Sequence, residues 1–265
     1  MPLLPGAEPI AYDGGPVGVL LCHGFTGNPS SLAAWARHLA DDGRTVRVPR
    51  LPGHGTTWQE MNRTRWDDWY ATVDRALTEL RDRCDEVVVG GLSMGGALAL
   101  RLAEQRGTDV TGLVLVNPAV QLSNAGLGLL PVLKHLVPSL HGIGSDIAKP
   151  GVTELAYDRT PLKALHSSIQ GYARVVRDLP QITQPLLLLH SPQDHVVPPK
   201  SSSTVLSRVS SKDVTEVLLH RSYHVATLDH DADVIERSSS EFITRITATG
   251  TSPSGADGGT TTATT

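Results

Sequence analysis

Short apolar runs alternate along the chain with segments of helical periodicity, and this alternation restricts the fold more than any other feature. Most of the runs are apolar throughout rather than at every second position: VGVLLC (17–22), TVRVP (45–49), EVVV (86–89), GLVLV (112–116), PLLLLH (185–190) and EVLLH (216–220). Continuous hydrophobicity is typical of strands that are covered on both faces, as in parallel sheets. The sequence therefore predicts an α/β fold with a mostly parallel, doubly wound sheet.

The segments between these runs repeat apolar residues at steps of three and four, which indicates amphipathic helices. The clearest predicted helix has Thr64 as its N-cap and carries an apolar stripe made of Trp66, Trp69, Val73, Leu77, Leu80 and Cys84. Other helices are predicted from Ser30 or Ser31 to Gly43, from Ser93 onward, and from about Asp231 to Thr247.

The chain has 265 residues, of which 40% are hydrophobic, so we expect one domain over residues 1–249. The alternation stops between residues 118 and 184, where we predict a small, mostly helical cap inserted over one end of the sheet. Residues 250–265 are rich in Gly, Ser and Thr, and we expect them to form a disordered tail.

Charge and composition exclude several classes of partner. The net charge is −4 and no basic stripe is present, which argues against nucleic acid. No apolar run approaches the ~18 residues that span a bilayer. The first basic residue is Arg37, so the N-terminus lacks the basic region of a signal peptide, and we expect a cytoplasmic protein.

The cysteines, Cys22 and Cys84, are expected to be buried thiols. No metal-binding or phosphate-binding motif occurs, so we expect no metal.

Gly91-Leu92-Ser93-Met94-Gly95 stands between a predicted strand and a predicted helix. G-x-S-x-G at such a junction is the pattern of a nucleophile elbow, a sharp turn that exposes the serine hydroxyl at the end of a sheet. Glycine is needed at positions 91 and 95 because a side chain there would collide with neighbouring backbone. The pattern predicts that Ser93 is a catalytic nucleophile.

Backbone N–H groups near Ser93 are candidates for an oxyanion hole. Met94 would begin the helix and direct its N–H towards the reacting centre. Phe25 follows the first buried strand, where Gly24 lets the backbone come close, and its N–H is the second candidate. We interpret the preceding His23 as a structural hydrogen-bonding residue.

A serine nucleophile needs a base and an orienting acid, and on this fold the order along the chain is serine, acid, histidine. Asp194 follows a predicted strand and is favoured over Asp213, Asp158 and Asp229. Three histidines are candidates for the base: His220, His224 and His230. We favour His224 because it lies in the loop between the last strand and the last helix. These residues predict a two-step acyl transfer.

Five motifs in this order resemble the α/β hydrolases of the bacterial carboxylesterase and monoacylglycerol lipase type: HGFTG, PGHG, GLSMGG, SPQDHVVPP and SYHVATLD. The resemblance covers about residues 17–246. It implies a triad of Ser93, Asp194 and His224, oxyanion donors at Phe25 and Met94, a short helical cap and no cofactor. Tyr223 departs from the pattern, because glycine is common at that position, and it is expected to narrow the site.

The resemblance also suggests where a small-molecule ester or monoacylglycerol would bind. Gly24 and Val196 are expected beside the reacting centre. His54 either lines the pocket entrance or makes only local hydrogen bonds. Apolar residues of the cap either line an acyl-chain tunnel or pack on the core; they are Leu127, Leu129, Leu130, Val132, Leu133, Leu136 and Val137.

Other functions stay open on sequence grounds. A carbon–carbon bond hydrolase and a cofactor-free perhydrolase also use a serine triad, whereas dehalogenases and epoxide hydrolases need an aspartate where Ser93 stands. A ligand-binding protein that has the fold without catalysis is the alternative from a different class.

Overall fold

The computed structural model describes residues 2–122, 128–142 and 145–248. Within these ranges, seven strands form one sheet. Their spatial order is β1 (Ile10–Tyr12), β3 (Thr45–Val48), β2 (Val17–Cys22), β4 (Glu86–Leu92), β5 (Gly112–Val116), β8 (Leu186–His190) and β9 (Val214–Leu218). Strand β1 is antiparallel to β3, and the other neighbouring pairs are parallel. The predicted α/β fold with a mostly parallel sheet is confirmed.

Helices cover both faces of this sheet. One face packs against α1 (Ala33–Asp41) and α8 (Ala232–Thr247), and the other against α3 (Trp66–Arg81), α4 (Met94–Arg106), α6 (Leu162–Asp178) and α7 (Lys200–Arg208). Successive side chains of β2 join opposite layers: Leu20 lies in the cluster with α3 and α4, whereas Leu21 lies in the cluster with α1 and α8. This two-sided burial explains why the strands are apolar at consecutive positions.

The start of α3 differs from the prediction by one residue. Arg65, not Thr64, is the N-cap, and its backbone N–H donates to the Asp68 carboxylate at 2.8 Å. The Thr64 hydroxyl instead donates to the Met61 carbonyl at 2.8 Å and closes the short helix α2 (Trp58–Met61). Sequence periodicity did not show α2. Because the Thr64 hydroxyl is hydrogen-bonded to the end of α2, it does not cap α3.

Helix α5 (Leu130–Leu136) and two strands, β6 (Ser139–His141) and β7 (Arg159–Pro161), follow β5. The strands pair antiparallel, and at three residues each they are too short to show a sequence alternation. Helix α6 belongs to the same predicted insertion, yet Tyr172 and Val175 are buried in the cluster that contains α3 and α4. Within the described ranges, therefore, the second half of the insertion is part of the main core. The tail predicted for residues 250–265 lies outside the described residues.

Candidate active site

Ser93 occupies the turn between β4 and α4 with a backbone conformation that non-glycine residues rarely adopt. Its φ is 57° and its ψ is −119°. Hydrogen bonds hold this turn: the Ser93 N–H donates to the Val116 carbonyl at 3.0 Å, and the Ser93 carbonyl accepts from Gly96 and Ala119, each at 3.0 Å. Backbone strain of this kind persists only where the surroundings enforce it, and it is concentrated at functional sites.

The two glycines of the motif are required by close backbone contacts. A Cβ on Gly91 would lie 2.3 Å from the carbonyl carbon of Gly95, and one on Gly95 would lie 1.8 Å from the Cys22 carbonyl oxygen. Strand β4, helix α4 and the end of β2 therefore meet at a distance that leaves no space for a side chain.

The structure brings Ser93, His224 and Asp194 together in a chain of hydrogen bonds. Ser93 Oγ is 2.9 Å from His224 Nε2, and His224 Nδ1 is 2.7 Å from Asp194 Oδ2. Asp194 follows β8 and His224 follows β9, so both reach Ser93 from the carboxyl edge of the sheet. The Asp194 side chain is 3% exposed and the His224 side chain 9%, so water has little access to either group.

Backbone groups hold the Asp194 carboxylate. Its Oδ1 accepts from the N–H groups of Val196 and Val197 at 2.8 and 2.7 Å, which leaves Oδ2 for His224. Backbone groups of the loop that carries Asp194 therefore hold one carboxylate oxygen, and the other oxygen faces the imidazole.

Asn117 is a site residue that the sequence analysis missed. It follows β5 with a φ of 43°, and its side-chain amide donates to the His224 carbonyl at 2.7 Å. Its Oδ1 accepts from the Ser191 N–H at 2.8 Å. One buried side chain thus fixes the loop of His224 to the end of β8. The only signal in the sequence was an asparagine directly after a predicted strand.

The rival candidates lie elsewhere. His220 and His230 are exposed. Asp213 precedes β9 and pairs with Arg245 at 2.6 Å. Asp229 is buried, but its carboxylate accepts backbone N–H groups, including that of Tyr223 at 2.9 Å, rather than an imidazole.

The predicted oxyanion donors lie on the two segments that flank Ser93. Met94 is the first residue of α4, and a Cβ on Gly24, next to Phe25, would stand 3.5 Å from the Ser93 Cβ. Among the acceptors of the described residues, neither the Phe25 nor the Met94 N–H has a hydrogen-bond partner.

His23 supports the loop that carries Phe25. Its Nδ1 donates to the Gly24 carbonyl at 3.0 Å, and its Nε2 accepts from the Leu51 N–H at 3.1 Å. The side chain is fully buried, and burial lowers the pKa of His23 to about 4. A neutral imidazole that both donates and accepts fits the structural role that the sequence suggested.

The predicted substrate-binding residues are less closely grouped. His54 is fully buried, its ring 5.0 Å from that of His23 and 5.4 Å from that of Trp69, so the structure does not bring it to a pocket entrance. Val196 is half-buried against the core beside Asp194.

The apolar cap residues divide between solvent and core. Leu129, Val132 and Leu136 are 70%, 65% and 75% exposed, whereas Leu130 is buried and Leu133 is half-buried. Leu127 lies outside the described residues.

Glu154 is a second residue that the sequence did not reveal. It lies between β6 and β7, and a Cβ on Gly27 would stand 2.6 Å from its Oε1, so the carboxyl lies against the HGFTG loop. Burial raises the pKa of Glu154 to about 7, while the positive charge of a protonated His224 acts in the opposite direction. A carboxyl group that changes charge near neutral pH therefore lies close to the candidate site.

Within residues 2–122, 128–142 and 145–248, no helix is long and apolar enough to cross a membrane. The same described residues contain no group of three or more His, Cys, Asp or Glu side chains placed to hold a metal ion.

The fold and the strained serine turn define an α/β hydrolase, and comparisons with known proteins identify the family. Residues 17–231 match the family model described as serine aminopeptidase, S33, and the chain belongs to this family. It is 43% identical to a thermostable monoacylglycerol lipase of Bacillus sp. (strain H-257) over 92% of this chain and 97% of the relative. It is 25% identical to a carboxylesterase of Bacillus subtilis (strain 168) over 90% and 97% of the two chains.

Solved structures show the same architecture. A structure reported for the metagenome-derived lipolytic enzymes LipS and LipT is 40% identical to this chain, with a TM-score of 0.90. The match covers 92% of this chain and all of the other. The monoacylglycerol lipase of Paleococcus ferrophilus has a TM-score of 0.77 at 21% identity, over 93% of this chain and all of the other, and supports the fold alone.

Proposed function

We propose that this protein is a serine hydrolase that cleaves carboxylic esters, either short- to medium-chain esters or monoacylglycerols, through an acyl-enzyme intermediate. The observation that carries the proposal is the hydrogen-bonded series from Ser93 Oγ through His224 to Asp194, at 2.9 and 2.7 Å. The names of the two Bacillus relatives support the choice of substrate class.

In the first half of the reaction, Ser93 Oγ attacks the ester carbonyl carbon while His224 Nε2 accepts the hydroxyl proton. Asp194 accepts a hydrogen bond from Nδ1, which keeps the imidazole in the tautomer that can act as a base and stabilises the imidazolium that forms. The negative charge on the carbonyl oxygen is bound by the N–H groups of Phe25 and Met94, each worth about 3 kcal/mol in such sites.

The tetrahedral intermediate then collapses. The bond to the alcohol oxygen breaks, and the alcohol leaves with the proton from His224, so that the acyl group remains on Ser93. A water molecule attacks the acyl-enzyme, and His224 takes one proton from it. Return of that proton to Ser93 Oγ releases the carboxylic acid and restores the enzyme.

The test is a chain-length series of p-nitrophenyl esters run beside monoacylglycerols, with the wild type, Ser93→Ala and Asp194→Asn. We expect wild-type turnover, a loss of about 10⁴-fold or more in Ser93→Ala, and a fall in kcat of up to ~10⁴-fold in Asp194→Asn. Circular dichroism checks that each variant is folded.

Two outcomes would contradict the proposal. Ester turnover that survives in Ser93→Ala would assign the chemistry to another group. A wild type that binds esters but turns none of them over would instead favour the ligand-binding alternative. The cytoplasmic location stays a prediction, which fractionation of the source cells would test.

A further inference from the structure

Asp146 lies between β6 and β7, and its carboxylate reaches the loops that carry both Asp194 and His224. Its Oδ2 accepts from the backbone N–H of His224 at 3.1 Å and from that of His195 at 3.2 Å. Its Oδ1 lies 2.8 Å from the His195 Nδ1, and its backbone carbonyl accepts from the Val225 N–H at 3.1 Å. The Asp146 side chain is 11% exposed and its contact with the His224 N–H is part-buried, so water has limited access to that hydrogen bond.

A second carboxylate connects the same two segments in the opposite direction, because it lies beyond His224 and accepts from N–H groups close to Asp146. Asp229 lies five residues after His224 and is 2% exposed. It accepts from the N–H groups of Ala148 and Lys149 at 2.7 and 2.9 Å, and from that of Tyr223 at 2.9 Å. Residues 146–149 and the loop that carries His224 are therefore joined by hydrogen bonds in both directions: each segment supplies a carboxylate that accepts from backbone N–H groups of the other.

The peptide groups at His224 are consequently held from two directions. Asn117, at the end of β5, binds the carbonyl of residue 224, and Asp146 binds its N–H. Asn117 directly follows strand β5 of the sheet, whereas Asp146 belongs to the insertion that precedes α6. The position of the His224 backbone thus depends on a residue outside the sheet and outside the triad.

The contacts distinguish this role from that of the orienting acid. Asp194 reaches the imidazole Nδ1, whereas in the part of the chain that the structure describes the Asp146 carboxylate binds the backbone N–H of His224 and not its ring. Its pairing with the His195 ring involves a side chain that is 59% exposed, and ion pairs of that kind contribute little. The His224 N–H is the significant partner, because this contact is part-buried, whereas the His195 N–H contact is exposed and water can replace it.

We propose that Asp146 is a positioning residue for the reaction: its carboxylate sets the backbone of His224 and of the Asp194 loop, so that the imidazole stands between Asp194 and Ser93. The inference rests on the proposed function, since it assigns Asp146 a part in that same site. Displacement of a catalytic group by about 1 Å can cost roughly 100-fold in rate.

The test compares Asp146→Ala with Asp146→Asn in the full chain, with p-nitrophenyl butyrate as substrate. The alanine variant removes the acceptor of both N–H groups, and we expect kcat to fall roughly 10- to 100-fold with KM within about threefold, because the role proposed for Asp146 is to orient His224 and not to bind substrate. The asparagine variant can place its amide oxygen at the Oδ2 position, so we expect it to recover kcat to within about fivefold of the wild type. If Asp146→Ala does not fold, Asp146→Ser, whose shorter side chain cannot reach both N–H groups, replaces it.

Asp178→Ala is the matched control. Asp178 is also 11% exposed, but it lies on α6 and pairs with Arg101 and Arg177. We expect this variant to lose stability and to keep kcat within about twofold. The low-field proton resonance of the His224–Asp194 hydrogen bond should shift or broaden in Asp146→Ala and persist in Asp178→Ala.

Three results would overturn the inference: a kcat within twofold of wild type in folded Asp146→Ala, an equal fall of kcat in Asp178→Ala, or an asparagine variant as impaired as the alanine one. A wild type without ester turnover would refute the proposed function instead. In that case the proton resonance still decides whether Asp146 positions the histidine.

Discussion

Gly95 is the residue at which the turn around Ser93 tolerates least change. A Cβ there would lie 1.8 Å from the Cys22 carbonyl oxygen and 2.8 Å from that of His23, and backbone atoms cannot rotate away as a side chain can. We expect Gly95→Ala to lower the free energy of unfolding by about 3 kcal/mol or more, or to prevent folding, because β2 or α4 has to move. Chemical denaturation of the purified variant measures the effect.

Gly128→Ala is the control for that substitution. Gly128 has no atom within 4 Å of the position that its Cβ would take. Its unfolding midpoint should stay within the error of the wild type. Equal destabilisation by the two substitutions would show that the clash at Gly95 is not what limits the turn.

Individual residues of the site differ in how far a sequence can reveal them. Ser93, with a glycine two positions away on either side, is marked by a local pattern that has a steric cause. Asn117, Asp146 and Glu154 carry no such pattern, because their partners lie far away in the chain. The distance from Asp146 to His224 is 78 residues along the sequence, and only the fold closes it.

Helix α6 illustrates how packing assigns an element to a layer. The sequence placed it in the predicted insertion, but it lies against α3 in the core, and a Cβ on Gly171 would stand 2.2 Å from the Trp66 ring. The Ser167 hydroxyl oxygen also accepts from the backbone N–H of Trp66 at 3.0 Å. We expect Gly171→Ala to separate the two helices and to destabilise the protein by about 1–3 kcal/mol, as overpacking does elsewhere.

Thermal unfolding of Gly171→Ala checks this expectation, with Gln170→Ala as the comparison. Gln170 is the preceding residue of the same helix and is exposed. Because alanine is a good helix former, Gln170→Ala should leave the melting temperature nearly unchanged. A Gly171→Ala variant as stable as the wild type would mean that Trp66 can move aside without cost.

The stability of the whole molecule should depend on pH through Glu154. Its pKa is about 7 in the folded protein, compared with an ordinary value of 4.5. The folded state therefore binds the proton more tightly than the unfolded chain does. This contribution to stability is fully present below the ordinary pKa and is lost as the pH rises through about 7.

Glu154→Gln removes this dependence because glutamine stays neutral. Relative to the wild type, the variant should gain stability as the pH rises from about 4 to about 8, by at most about 3 kcal/mol for a shift of this size. Denaturation curves at the two pH values measure the gain. Glu241→Gln, which alters an exposed position on α8, should show no such change with pH. A constant difference between Glu154→Gln and wild type across this range would contradict the assignment.

The sequence alone determined the α/β class of the protein, the consecutive apolar strands and the glycine-flanked turn at Ser93. These features have local causes: two-sided burial of strands sets a continuous apolar pattern, and a tight turn excludes side chains. Tertiary structure decided that α6 joins the core and that His54 is buried, because both depend on which surfaces meet. It also decided that Asn117 and Asp146 hold the backbone of His224, since hydrogen bonds between distant loops depend on three-dimensional distance and leave no periodic trace in the chain.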